Sequence, residues 1–391
     1  MIHSKLGASS AKRWMTCAGS VTMAEGMPNH SSAAAEEGTA AHELAECTLK
    51  GGQEKTRRYV GLIAENGVEF TLEMAEYIQE YVDEIRRVEK ECKNGSIHET
   101  EFSFEMSSVH ELFFGTNDDF IYDMESQVLE VTDLKYGAGL FVEVEDNPQL
   151  KYYGLGALLA LQSIGYEVKK VRIKIIQPRI PCEEGIIRYQ DVTPGELMDF
   201  AVDLYNAALA TEEENAPLVS GDHCQFCPGA IKCPELIRTA NEAMKIEFAE
   251  ELPYDTDELS KALTMAELLK TWIKSVQNFA WNQANVGVKT PGFKLVAKRA
   301  SRSWNGDATH MRKMLKKLSK DEIAKCFKED IKTPAQVEKV LGKEHVKFLS
   351  KFILSKSSGT NLVPQDHKSP EVASSAEVDF KELLNQKTGD K

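Results

Sequence analysis

ETEFSFE (99–105), ELFFGTNDDFIYD (111–123) and QVLEVTDLK (127–135) are three β-prone runs in close succession. Aromatic and β-branched residues dominate them, and Ser107-Ser108 and the turn-like DMES at 123–126 separate them, which predicts antiparallel strands of a meander. Tyr136-Gly137-Ala138-Gly139 breaks the third strand, and FVEVE at 141–145 extends or follows it. Working outward, Ser31 and Ser32 are candidate caps for a helix through AAAEEGTAAHELAECTLKGG, interrupted at Gly38 and stopped at Gly51-Gly52. Leu72, Ala75, Ile78, Tyr81, Val82 and Ile85 follow the helical period within 71–93, and Gly95 ends that helix. Downstream, Asn147-Pro148 opens a helix through QLKYYGLGALLALQSIG. A strand VRIKIIQPR, a Pro-Gly turn and the helix ELMDFAVDLYNAALATEEE follow. The order is helices, three antiparallel strands, helix, strand, helix. It predicts an α/β (α+β) fold with a mixed central sheet flanked by helices.

Beyond about 240 the chain continues with helical material to 285, a predicted β-hairpin at 291–304 (PGFKLVAKRASRSW) and a basic helix to roughly 320. From Ser355 the composition turns to Ser, Pro, Asn and Lys. The expected organisation is a first domain over 1–240, a helical and hairpin extension over 241–354 carrying a basic strip, and a flexible tail over 355–391.

The 391 residues are 28% charged and 42% hydrophobic, an ordinary globular composition. No run of 18 apolar residues exists, so no membrane-spanning helix is expected, and MIHSKLGASSAKRW lacks the apolar core of a secretory signal. A cytoplasmic protein with no membrane partner is the default expectation. The formal charge of −14 taken alone argues against nucleic acid, but the charge is unevenly placed. Residues 1–150 hold 28 acids and 12 bases, whereas 289–320 hold ten bases and one acid, Asp307. Lys294, Lys298, Arg299 and Arg302, with Trp304 among them, suit a single-strand backbone with base stacking, and make DNA a candidate partner. Lys169, Lys170, Arg172 and Lys174 form a smaller basic group.

Between Asn94 and Leu150, Lys135 is the only Lys or Arg, against thirteen acids. It lies two residues after Asp133 on a predicted strand, so both side chains share a face. Asp118 lies one strand earlier, after Gly115-Thr116. Two carboxylates and one lysine meeting on adjacent strands suit Mg²⁺ or Mn²⁺ bound through oxygen. Lys135 would then orient or deprotonate an attacking water, or stabilise charge on phosphorus oxygens. On the following helix Gln149 and Tyr153 are four apart and share a face, where an amide and a phenol can bind substrate or brace the site. His42, four residues before Glu46 in GTAAHELAE, is a further candidate ligand through a neutral imidazole.

HCQFCPGAIKCPEL places Cys224, Cys227 and Cys233 close together. Three clustered thiolates leave one tetrahedral position open, which the early Cys17 in RWMTCAGS can fill. Zinc and an iron–sulfur cluster both accept four thiolates, and the chemistry alone does not choose between them. Cys47, Cys92, Cys182 and Cys326 are isolated and read as packing residues.

A histidine in a helix after Gly-Thr, then Gly-Thr-x-Asp, Asp-x-Lys and Gln-x-x-x-Tyr together resemble the RecB-like branch of the PD-(D/E)XK nuclease superfamily. The phage-encoded RecB-like proteins are the nearest likeness, over roughly residues 6–240 and on toward 304. The resemblance implies a restriction-endonuclease-like core with helical additions and a C-terminal extension. It implies that His42, Asp118, Asp133 and the backbone carbonyl of Leu134 are metal ligands, Lys135 the catalytic lysine, and Gln149 and Tyr153 the family's helix motif. The family's first core carboxylate has Glu101 and Glu105 as candidates here. Asp119 stands where an apolar residue is more usual. Related nucleases of the AddB and CRISPR-adaptation types close the domain with a 4Fe–4S cluster, using one cysteine before it and three after, as Cys17, Cys224, Cys227 and Cys233 are spaced.

The resemblance thus implies a Mg²⁺- or Mn²⁺-dependent deoxyribonuclease, more an exonuclease than an endonuclease, acting on single strands or duplex ends to leave a 5′-phosphate. Its setting would be phage DNA recombination or processing in the bacterial host cell, with a single-strand-binding or recombination protein as partner. Two other readings stand beside it: a nuclease-fold scaffold without catalysis, and a zinc-stabilised interaction module with incidental carboxylates.

Overall fold

Alternating side chains on three adjacent strands create a sheet with two apolar faces, and helices cover both. A computed structural model describes residues 4–27, 32–180, 182–247, 256–298, 301–304, 308–327, 331–342, 345–356, 359–374 and 376. The chain divides into two units, Met1–Ser275 and Val276–Lys391.

In the first unit, helices α1 (Ala11–Thr16), α2 (Ser20–Ala24), α3 (Ala33–Lys50) and α4 (Leu72–Glu91) precede strands β1 (Ser96–Glu105), β2 (Phe114–Asp123) and β3 (Val128–Leu134). Then come α5 (Pro148–Ser163), β4 (Lys170–Ile176), β5 (Ile187–Val192), α6 (Pro194–Glu212), α7 (Pro234–Glu247) and α8 (Thr256–Asn285), whose residues after Ser275 fall in the second unit. The sheet order is β1-β2-β3-β4-β5. Only β3 and β4 run parallel, joined through α5, and the other neighbours are antiparallel. This is the mixed α/β sheet that the alternation predicts. It has one more strand than expected: β5 lies between the VRIKIIQPR strand and Pro194-Gly195, which opens α6 rather than forming a turn. Thr193 caps that helix, with Glu196 completing a capping box. FVEVE forms no strand.

Phe120, Tyr122, Leu129, Val131, Ile173 and Ile175 face one side and pack with α1, α5 and α6. Ile121, Leu134 and Ile176 face the other, where Leu44 of α3 and Ile78, Val82 and Ile85 of α4 cover them. Asn147 caps α5 by accepting from the Gln149 and Leu150 amides, with Pro148 in the first turn. The helix sits so close to β1 that a Cβ on Gly156 would meet the Phe104 ring at 2.3 Å. That approach fixes α5 against the sheet, and with it the side chains it presents.

The second unit contains β6 (Phe293–Ala297), β7 (Ser301–Trp304), α9 (Ala308–Met314), α10 (Lys320–Cys326), α11 (Pro334–Leu341), α12 (Val346–Leu349), β8 (Ile353–Lys356) and β9 (Thr360–Pro364). The expected hairpin is replaced by two separate ladders, β6 with β9 and β7 with β8. The stretch after Ser355, expected as a flexible tail, therefore supplies strand β9, and residues 377–391 lie outside the described part. Met311, Leu315, Cys326, Phe327, Val337, Leu341 and Leu349 form this unit's core. No helix among the described residues is long and apolar enough to cross a membrane.

Candidate metal centre

Register brings the carboxylates together. Thr100 pairs with Asp119 and Phe102 with Asn117, which sets Glu101 opposite Asp118. The β2–β3 ladder ends at Asp119 and Thr132, and one further step sets Asp118 opposite Asp133. Glu101, Asp118 and Asp133 thus form a row across three strands, with neighbours about 5 Å apart by strand spacing. Glu101 holds a left-handed backbone, φ 53°, which costs a non-glycine residue on the order of 1–3 kcal/mol and interrupts the ladder where its carboxylate enters the row.

Helix α3 reaches the same row. His42 Nδ1 lies 3.1 Å from Asp118 Oδ1, while Asp118 Oδ2 accepts the Leu134 amide at 2.6 Å. Among the described residues, one group of three His, Cys, Asp or Glu ligand atoms lies within 4.8 Å of one another: His42, Glu101 and Asp118. Lys135 Nζ donates to Asp133 Oδ1 at 3.2 Å and to Gln149 Oε1 at 2.9 Å. It also approaches Asp133 Oδ2 at 2.8 Å, but out of line for a hydrogen bond, so that buried oxygen has no hydrogen-bond donor among the described residues. Gln149 Nε2 donates to Asp133 Oδ1 at 3.3 Å and to the Tyr153 hydroxyl at 3.1 Å. The chain Tyr153–Gln149–Lys135–Asp133 hence holds the ammonium from the α5 side.

The electrostatics follow from crowding acids in a partly dry site. Burial, then the Asp118 charge, pushes the Glu101 carboxyl up to about 7. Burial raises Asp133 as well, against the pull of Lys135. Burial opposes protonation of His42, but Asp118 outweighs it and raises the imidazole to about 9. Burial also opposes ionisation of Asp118, which its His42 partner nevertheless holds below the ordinary carboxyl range. Three carboxylates, one of them with a buried oxygen that lacks a hydrogen-bond donor among the described residues, and one imidazole form a donor set suited to a hard divalent cation.

Of the residues expected at this site, His42, Asp118, Asp133, Lys135, Gln149 and Tyr153 come together. Leu134 contributes its amide to Asp118, and its side chain lies in the core on the opposite face. Glu46 pairs instead with Lys50 at 2.9 Å. Register selects Glu101 over Glu105, which sits opposite Phe114. Asp119 points away from the row into the α4 face, where His98 Nε2 at 2.9 Å and Thr100 Oγ1 at 2.8 Å meet its carboxylate.

This last pair carries a pH dependence. Burial would lower the His98 pKa, but Asp119 and then Glu89, 3.3 Å away, raise it from 6.5 to about 9. The native state therefore keeps a proton that the unfolded chain releases above pH 6.5, and the stabilisation is complete below that value and lost as pH rises through about 9. Glu89 is half-exposed, so the contribution is roughly 1–3 kcal/mol, less than the full shift. Urea unfolding across this range should show wild-type stability falling with pH, and a shallower fall in His98→Gln. An equal slope in both would place the titrating group elsewhere.

The cysteines form a second constellation. Cys17, Cys224 and Cys233 are buried, Cys227 is partly so, and all four line one small cavity with Met23 and Leu218. The Val219 amide points at Cys17 Sγ at 3.3 Å and the Gly221 amide at Cys224 Sγ at 3.4 Å. Burial raises the Cys224 thiol to about 11. A Cβ on Gly229 would meet the Met23 carbonyl oxygen at 2.4 Å, so this glycine lets the cysteine segment close on the end of α2. Trp272 and Leu268 of α8 pack against the group.

The residues expected to meet DNA lie in the second unit. Trp304 donates its indole N–H to the Lys332 carbonyl at 2.7 Å and packs against that unit's core. Lys294 Nζ donates to the His367 carbonyl at 2.7 Å, and Lys298 lies just after β6 with its amide bonded to Gly359. Arg302 pairs through its backbone with Ser355, and Arg299 lies outside the described residues. A family model described as a protein of unknown function, DUF2800, matches residues 3–370, which include both constellations and both units' sheets. The chain belongs to the DUF2800 family.

Proposed function

We propose that the first unit is a RecB-like nuclease of the PD-(D/E)XK type that hydrolyses DNA phosphodiester bonds with Mg²⁺ or Mn²⁺. The observation that carries this reading is the row of Glu101, Asp118 and Asp133 on three adjacent strands, with His42 against Asp118 and the Lys135–Gln149 pair at the Asp133 end. His42, Glu101, Asp118 and Asp133 are the residues that would hold the cation, and the Leu134 carbonyl is a further ligand implied by the resemblance. A bound divalent cation supplies Lewis-acid polarisation of the phosphodiester and lowers the pKa of water. Lys135 orients the attacking water or meets negative charge on the phosphorus oxygens. Gln149 aims the ammonium, and Tyr153 fixes the amide of Gln149.

The four cysteines suit a resident structural group that joins segments 207 residues apart in sequence, Cys17 to Cys224. Backbone amides directed at the Cys17 and Cys224 sulfurs suit metal-bound cysteines, whose sulfurs accept such donors. The resemblance favours 4Fe–4S over zinc. Anaerobically purified protein should then contain iron and absorb visible light, with both lost in Cys227→Ser. A colourless protein holding zinc and no iron would instead select the zinc clip.

A role in phage DNA recombination or processing in the host cytoplasm, beside a single-strand-binding or recombination protein, goes with this reading. The direct test is a time course on end-labelled single- and double-stranded DNA with Mg²⁺, Mn²⁺ or chelator. Progressive loss of nucleotides from an end, leaving 5′-phosphates and stopped by chelator, is expected. No cleavage of any nucleic acid would favour the non-catalytic scaffold.

A further inference from the structure

We propose that Phe141 is a stacking platform for one unpaired nucleobase beside the carboxylate row, a site that rests on the nuclease reading above. Phe141 lies in the segment between Lys135, at the end of β3, and Gln149, at the start of α5. Two side chains hold that segment. Gln177, one residue past β4, donates from Nε2 to the Leu140 carbonyl at 2.8 Å and to the Gly137 carbonyl at 3.3 Å. Its Oε1 accepts the Val142 amide at 3.3 Å and Arg188 Nη2 at 2.9 Å. The backbone is thereby pinned on both sides of residue 141.

Arg188 then sets the ring. Its guanidinium carbon lies 3.9 Å from the Phe141 ring centroid, and the residue is only 5% exposed. Its Nε and Nη1 are buried with no hydrogen-bond partner among the described residues. A buried cation with two unsatisfied N–H groups is costly, and the negative face of the ring compensates it. The guanidinium covers one face of the ring, yet Phe141 remains 40% exposed and Leu140 beside it 52%. A partly exposed aromatic ring with a cation on one face leaves its other face to the proposed base. Stacking polarised by an arginine is how single-strand grooves hold bases without reading their sequence.

Register places the platform near the chemistry. Asp133 pairs with Ile175, and Ile175 with Arg188, so Arg188 stands two strands, about 10 Å, from Asp133. A chain whose phosphodiester lies at Asp133 brings a neighbouring base within reach of Phe141. The faces of bases inside a duplex are already stacked, so the platform selects a single strand or a frayed end. The ligand class is accordingly unpaired DNA of any sequence.

The full-length protein, with metal chelated so that nothing is cut, is titrated with a single-stranded oligonucleotide carrying 2-aminopurine at successive positions. Wild type should quench the probe at one position, and Phe141→Trp should retain that quench. Phe141→Leu keeps an apolar side chain behind which Arg188 can remain buried, but offers no flat face. It should lose the positional quench and about ten-fold in single-strand affinity, with blunt-duplex affinity unchanged. Equal quenching and affinity in Phe141→Leu, or no binding of single strands by wild type, would overturn the platform. Cleavage with Mn²⁺ is read separately: a protein that stacks the probe but cuts nothing keeps the platform and loses the nuclease reading. A protein that cuts while Phe141→Leu behaves as wild type keeps the nuclease and loses the platform.

Discussion

Asp133→Asn is expected to slow Mn²⁺-dependent DNA cleavage by 10²–10⁴-fold, on the order of what removing one charged catalytic partner costs. The substitution is nearly isosteric, and it removes a buried carboxylate that the fold holds at some expense, as its raised pKa indicates. Folding should therefore survive, and the loss should appear in single-turnover rate rather than in DNA affinity. Lys135→Ala should show a loss of similar size, and the double variant should be little worse than either. The two side chains are 2.8 Å apart and serve one step as a unit. An Asp133→Asn protein that cuts at the wild-type rate would detach this row from any hydrolysis observed.

The largest stability effect is expected on the other face of the sheet. Lys174, 2% exposed, donates to Glu84 of α4 at 2.7 Å and also to Glu130 of β3. Lys174→Met leaves two carboxylates facing one another away from water, a loss of about 3–5 kcal/mol for a broken buried pair. Urea unfolding would measure it. Glu84 keeps Arg87 as a partner at 2.8 Å, so adding Glu130→Leu should restore much of the loss by removing the carboxylate left alone. The cleavage rate of the double variant should match wild type, because Lys174 and Asp133 point to opposite faces. A Lys174→Met protein as stable as wild type would mean that water or a moved cation replaces the ammonium.

What could be read in advance divides along physical lines. Period two on β2 and β3 is a local property, so the shared face of Asp133 and Lys135 and the position of Asp118 one strand earlier were legible from spacing. Gln149 and Tyr153 followed from the helical period and the Asn147-Pro148 start. Glu101 was not separable from Glu105, since both have the same strand parity and only register distinguishes them. Its left-handed backbone has no sequence signal such as glycine. Asp119 contradicted an apolar expectation because His98 and Thr100, about twenty residues upstream, both meet its Oδ2. Strand β5 hid because Pro194-Gly195 also fits a turn and Arg188 interrupts its apolar pattern. The hairpin expectation at 291–304 failed for a related reason: neighbouring strands are the local default, whereas β6 and β7 take partners about fifty residues or more further on. Those same long-range ladders order residues whose polar composition had suggested a tail.

The proposed hydrolysis requires a cation among His42, Glu101, Asp118 and Asp133. Titrating the full-length protein with Mn²⁺ and following the free-ion electron paramagnetic resonance signal tests it without reference to cleavage. Saturable binding that weakens at least ten-fold in Asp118→Asn and in Glu101→Gln is the expected result. Binding that neither substitution changes, or no binding by the wild type, would contradict it.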